Sequence, residues 1–167
     1  MMDDVRIDLT FDEARILALH GEPLPPVLTS LTCEDDTVYA TVDLRQVPNP
    51  PAALRFAVAL TPSVHAALRY EAYADGVLDL RATATAAGLP VQRLLGFVEG
   101  PLRGALVEQG LPDDAVSIVT GDGDPLVRVR VDEILAQRAP GLRVTGVTFA
   151  GGRIVADAAV DPSFRLA

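Results

Sequence analysis

Apolar residues in this chain recur at every second position. Val5, Ile7 and Leu9 alternate with Arg6 and Asp8, and Val127, Val129 and Val131 alternate with Arg128 and Arg130. A period of two with polar partners is the signature of a strand with one wet face. The same alternation predicts strands through Leu54, Phe56, Val58 and Leu60, through Val64, Ala66, Leu68 and Tyr70, and through Leu78, Leu80, Ala82 and Ala84. Asp75-Gly76 and Gly151-Gly152 supply residues that tolerate positive φ, so both read as hairpin turns. Glu34-Asp35-Asp36 stands at the matching place between two further strands.

One stretch has a helical period instead. Val91, Leu94, Leu95, Val98, Leu102, Ala105 and Leu106 form the stripe of an amphipathic helix over 91–109. Pro101 removes one backbone bond and predicts a kink. Gly96, Gly100 and Gly104 lie four apart on the other side. Three glycines cost a helix about 3 kcal/mol relative to Ala, which predicts a compensating close approach of another backbone. Shorter helices are predicted over 11–20, closed by Gly21, and over 132–138.

The two ends of the chain are alike. Residues 28–44 align without gaps onto 144–160, with Thr29/Thr145, Thr32/Thr148 and Ala40/Ala156 identical. An alternating strand and a short helix opening Asp-Glu (Asp12-Glu13, Asp132-Glu133) precede each copy. Both copies break parity at the same place, Leu28 to Leu31 and Val144 to Val147, which predicts a β-bulge at Thr29-Ser30 and another at Thr145-Gly146. The chain reads as one α+β domain over 1–167. A curved, mostly antiparallel sheet of about ten strands wraps one long kinked helix. Two strand–helix–hairpin repeats, about 4–45 and 126–161, flank central strands and the helix over 53–120.

Charge narrows the partners. All 14 basic residues are Arg, against 23 acids, for a net charge of −9. Nucleic acid and anionic membranes are bound by clustered cations, which this balance argues against. No apolar run is long enough to span a bilayer. The acidic start, Met1-Met2-Asp3-Asp4, is not a secretory signal, which points to the cytoplasm. Cys33 is the sole cysteine, so no intramolecular disulfide forms.

The run from Tyr73-Ala74-Asp75-Gly76 to Ala82, matched by Phe149-Ala150-Gly151-Gly152 onward, resembles the hairpins of small bacterial proteins of the tubular lipid-binding (TULIP-like) superfamily. Val127 to Leu135, followed by Leu142 to Phe149, is similar to their strand–helix–strand unit. The resemblance covers most of the chain. It implies a curved sheet around a long helix, with a groove between them for acyl chains or other apolar ligands.

Chemical motifs are sparse. Two isolated histidines, His20 and His65, and Cys33 give no zinc spacing. Asp122-Gly123-Asp124 lacks the rest of a Ca²⁺ loop and reads as a turn, so no metal or cofactor is expected. No phosphate loop or nucleophile elbow is present. The leading reading is therefore non-catalytic binding of a lipid or fatty acid. Its lining would be Leu94, Val98, Leu102 and Leu106 from the helix, with Phe56, Tyr70, Leu80 and Phe149 from strands. The same residues could instead close a dry core. The alternative is a structural or assembly protein acting through self-association, as a homo-oligomer, or through a protein partner. An enzyme with unrecognised acid–base residues is the third reading.

Overall fold

A computed structural model describes residues 3–19, 21–47, 50, 52–60, 62–85, 91–121 and 123–164. The chain runs β1 (Asp3–Thr10), α1 (Phe11–Ala18), β2 (Leu28–Glu34), β3 (Thr37–Asp43), α2 (Ala52–Leu60), β4 (Ser63–Ala74) and β5 (Val77–Thr85). It continues with α3 (Val91–Glu108), β6 (Val116–Val119), β7 (Leu126–Arg130), α4 (Val131–Arg138), β8 (Leu142–Ala150) and β9 (Arg153–Val160).

The strands form two antiparallel sheets, not one. The small sheet has the order β1-β9-β8 and the large one β2-β3-β4-β5-β7-β6. Each strand–helix–hairpin unit crosses between them. β1 lies in the small sheet and sends its hairpin β2–β3 to the large one, while β7 lies in the large sheet and sends β8–β9 to the small one. Val147 and Phe149 of β8 are buried against Val38, Leu78, Leu80 and Val127 of the large sheet. The Phe149 and Tyr70 rings stack at 5.8 Å across that junction.

This arrangement overturns the expectation of a single curved sheet wrapping a long kinked helix. Much of the large sheet's apolar face is covered by the small sheet. Among the described side chains of helix α3, Leu95 joins that contact, and Val98 joins Val27, Val42, Leu44, Val47 and Val64 in a separate cluster. The helix itself runs unbroken through Pro101.

Both predicted bulges are present, as register shifts between Leu28 and Ser30 and between Val144 and Gly146. The turns hold too: Asp75 and Gly76 have φ of 54° and 80°, and Gly151 and Gly152 have 61° and 73°. Thr10 closes a capping box with Glu13 at the start of α1. Gly21 (φ 78°) ends that helix by donating its amide to the Ile16 carbonyl. His20 lies outside the described residues.

Two local expectations fail. The segment holding Phe56 and Leu60 is helix α2 rather than a strand. Its run of Ala and Leu favours a helix, and an almost wholly apolar segment carries no readable period. The glycine row is not closely packed either. Gly96, Gly100 and Gly104 are exposed, and a Cβ added at any of them would meet nothing within 4 Å. Each therefore weakens α3 without a packing return. Gly100→Ala and Gly104→Ala should each stabilise the fold by about 0.5–1 kcal/mol, read as a rise in thermal midpoint. A fall would show that another backbone does approach the row.

Candidate functional site

A groove of about 650 Å³ opens where the β4–β5 turn, α4, the start of β8 and the C-terminal turn meet. Three backbone devices build it. The Asp132 amide at the start of α4 donates to the Gly76 carbonyl of the turn at 3.1 Å. Gly76 fits because a Cβ there would lie 2.7 Å from the Asp132 side chain. Gly141, at φ 90°, begins the return into β8, and its carbonyl accepts from the Asp161 amide at 2.8 Å. A Cβ on Gly141 would sit 2.6 Å from the Phe164 backbone, so the C-terminal turn closes over it only because the side chain is missing.

The groove is amphiphilic. Tyr73, Leu142 and Val144 are half-buried, whereas Asp75, Asp132, Arg143, Thr145 and Ser163 are exposed around them. The Tyr73 hydroxyl donates to the Val144 carbonyl at 2.9 Å, so the phenol joins the two sheets at the groove floor. Burial pushes the Tyr73 phenol above its ordinary range, and the nearby Asp132 charge adds to the effect. Ser163 donates to the Asp161 carboxylate from its hydroxyl at 2.6 Å and its amide at 2.8 Å. Those bonds hold the Asp161 carboxyl below the usual range, with a smaller contribution from Arg143.

Outside the groove lining, the Glu133 carboxyl, when protonated, can donate a hydrogen bond to Asp114. That bond, then desolvation, raises the Glu133 carboxyl above its ordinary value. Arg130 lies 3.7 Å from Asp114 and offsets part of the repulsion. The pair ties the first turn of α4 to the loop before β6.

Seven of the eight residues expected to line a groove have described side chains, and those seven do not share one. Val98, Leu80, Phe149 and Leu106 are buried in three separate apolar clusters. Leu102 packs against two of those clusters, and Tyr70 is half-buried under Phe149. Phe56 is 70% exposed on α2. The side chain of Leu94 lies outside the described residues. None of the seven with described side chains lines the open groove.

Its actual lining escaped sequence reasoning, although Asp75-Gly76, Asp132 and Gly141 are each legible as turn or helix-start residues. Nothing periodic connects them. His65 is exposed on β4, 3.3 Å from the Thr41 hydroxyl, and lies away from the groove. Cys33 is half-buried and packs against the inter-sheet cluster, and burial raises its thiol pKa. Among the described residues, no group of three or more His, Cys, Asp or Glu is placed to hold a metal ion, and no helix is long and apolar enough to cross a membrane.

No family model matches the chain, and neither a curated protein nor a solved structure matches it.

The Glu133–Asp114 pair makes a signed prediction. A carboxyl raised on folding favours the folded state below its unfolded-state value, and that contribution is lost as pH rises through the folded-state value. Glu133→Gln keeps a donor for Asp114 and removes the charge. The variant should melt higher than the parent at pH 7, and the gap should close as pH falls through the carboxylate range. Thermal melts across that range read it directly, and a pH-independent gap would contradict the pairing.

Proposed function

We propose that this protein binds an amphiphilic, largely apolar small molecule of the lipid class, without catalysis, in the groove between the β4–β5 turn, α4 and β8. The observation that carries this reading is a lining that sets half-buried Tyr73, Leu142 and Val144 beside exposed charged residues, at a volume typical of small-molecule sites. Leu142, Val144 and the Tyr73 ring would take up chain methylenes, each worth about 0.8 kcal/mol when buried.

The rim narrows the head group. Arg143 stands among Asp75, Asp132 and Asp161. A free fatty-acid anion would meet more like charge than opposite charge there. A neutral head group, or a zwitterionic one that presents a cation to the carboxylates, fits the rim better.

A second reading, assembly with a protein partner, is favoured by apolar side chains left on the helices. Ile16 and Leu17 of α1 are 54% and 60% exposed, and Leu60 of α2 is 63% exposed. Exposed groups of this size are common singly and gain meaning only as a contiguous patch.

Native mass spectrometry, with solvent extraction of the purified protein, tests the ligand reading. The expected result is a co-purified lipid, or uptake of phosphatidylcholine in preference to oleate. Ala136 is exposed on α4 at the groove wall, so Ala136→Trp should fill the groove without touching the core and weaken uptake about tenfold or more. An empty protein that takes up neither probe would overturn the proposal.

A further inference from the structure

The four outer edges of the two sheets are not treated alike. At β6, the edge of the large sheet, the Glu99 carboxylate of α3 accepts the outward amide of Ile118 at 2.7 Å. At β8, the Tyr73 hydroxyl takes the outward carbonyl of Val144. The β2–β3 tip is held by the other sheet: the Gly151 amide donates to the Asp35 carboxylate at 3.1 Å and the Gly152 amide to the Asp35 carbonyl at 3.2 Å. Capping or covering an edge is how proteins prevent strand addition.

β1 is different. The Phe11 amide donates towards β9, to the Gly152 carbonyl, whereas the Thr10 amide turns away and is taken by Glu13. Successive residues of a strand aim their backbone groups to opposite sides. The amides and carbonyls of Arg6 and Asp8 therefore face outward with Thr10. No side chain among the described residues takes those amides. The edge is also apolar on its inner face, where Val5 is 39% exposed.

The residue order on this edge is complementary to itself. In an antiparallel pairing of two copies centred on Ile7, Arg6 stands opposite the partner's Asp8, and Asp8 opposite the partner's Arg6. These are the residues whose backbone groups face outward, so register and hydrogen bonding agree. On the inner face, Val5 meets the partner's Leu9 and Ile7 meets the partner's Ile7. Centring on Arg6 or on Asp8 instead would set like charges face to face, which is destabilising. Arg6 already pairs with Asp157 at 3.2 Å, and Asp8 with Arg153 at 2.8 Å. The pairing would extend these into one row of alternating charge across the junction.

We infer that the free edge of β1 is a homodimer interface, at which two copies pair antiparallel about Ile7 and join their three-stranded sheets into one. The occupant is a second copy because a two-fold contact requires a self-complementary patch. The order Asp4-Val5-Arg6-Ile7-Asp8-Leu9 supplies one, in charge and in apolar shape.

Sedimentation of the full chain across concentration tests the inference through a charge swap. The parent should be a dimer that weakens in high salt. Arg6→Asp and Asp8→Arg should each weaken dimerisation about tenfold or more, and an equimolar mixture of the two single variants should restore it as a heterodimer with opposite charges across the junction. Circular dichroism checks that each variant folds. Hydrogen exchange on the parent gives a reading without substitution: the Arg6 and Asp8 amides should become protected as concentration rises. A parent that stays monomeric, single variants as dimeric as the parent, or edge amides that exchange freely in the dimer would each overturn it.

Discussion

The small sheet depends on the face it lies on. A three-stranded sheet with one apolar side leaves that side in water until another layer covers it. β8–β9–β1 become a stable layer because Val147 and Phe149 bury themselves against Val38, Leu78 and Leu80, and because Phe149 stacks on Tyr70. The large sheet needs the same contact, since otherwise the middle of its apolar face would be open to water. α3 cannot substitute. Its Val98 packs in a separate cluster, and the half beyond Pro101 is engaged elsewhere, with Leu106 against Leu19, Leu111 and Ala115.

That mutual dependence is fixed in register by the turns. The β8–β9 turn receives the Phe11 amide where α1 begins, and the β4–β5 turn receives the Asp132 amide where α4 begins. Each helix is thus anchored at the point where the chain leaves one sheet for the other. The Gly76 and Gly152 carbonyls can act this way because both residues sit at positive φ in turns that expose their backbone. The groove follows from this geometry. It is the space left where α4 leaves its anchoring turn and β8 enters the other sheet.

Much of this was legible in the sequence, and what was not has physical causes. Parity breaks at Leu28–Leu31 and Val144–Val147 located both bulges, because a one-residue slip moves every later side chain to the other face. Gly21 bounded α1 at its C-terminal end. Alternation failed over 52–60, where Ala and Leu dominate and helix propensity settles the matter. Alternation also says which face of a strand is apolar but not what covers it, so the count of sheets was beyond it. The glycine row misled for a related reason. Spacing shows that Gly96, Gly100 and Gly104 share a side of α3, but whether that side meets anything is a tertiary fact. The groove residues come from turns and strand ends far apart in the chain, where no period exists to connect them.

The strand order sets the relation between the two proposed surfaces. In the small sheet β9 lies between β1 and β8, so the free edge and the groove stand on opposite sides of a three-strand layer. Joining two such layers through β1 gives the order β8-β9-β1-β1-β9-β8. With strands about 4.8 Å apart, the two β8 strands would stand about 24 Å apart at the outer margins. Dimerisation would therefore bury neither groove, and a bound amphiphile would not bridge the junction. The proposed ligand uptake and the proposed self-association are separable in this fold. A β1 variant that lost the dimer would keep its groove, and filling the groove at Ala136 would leave the edge intact.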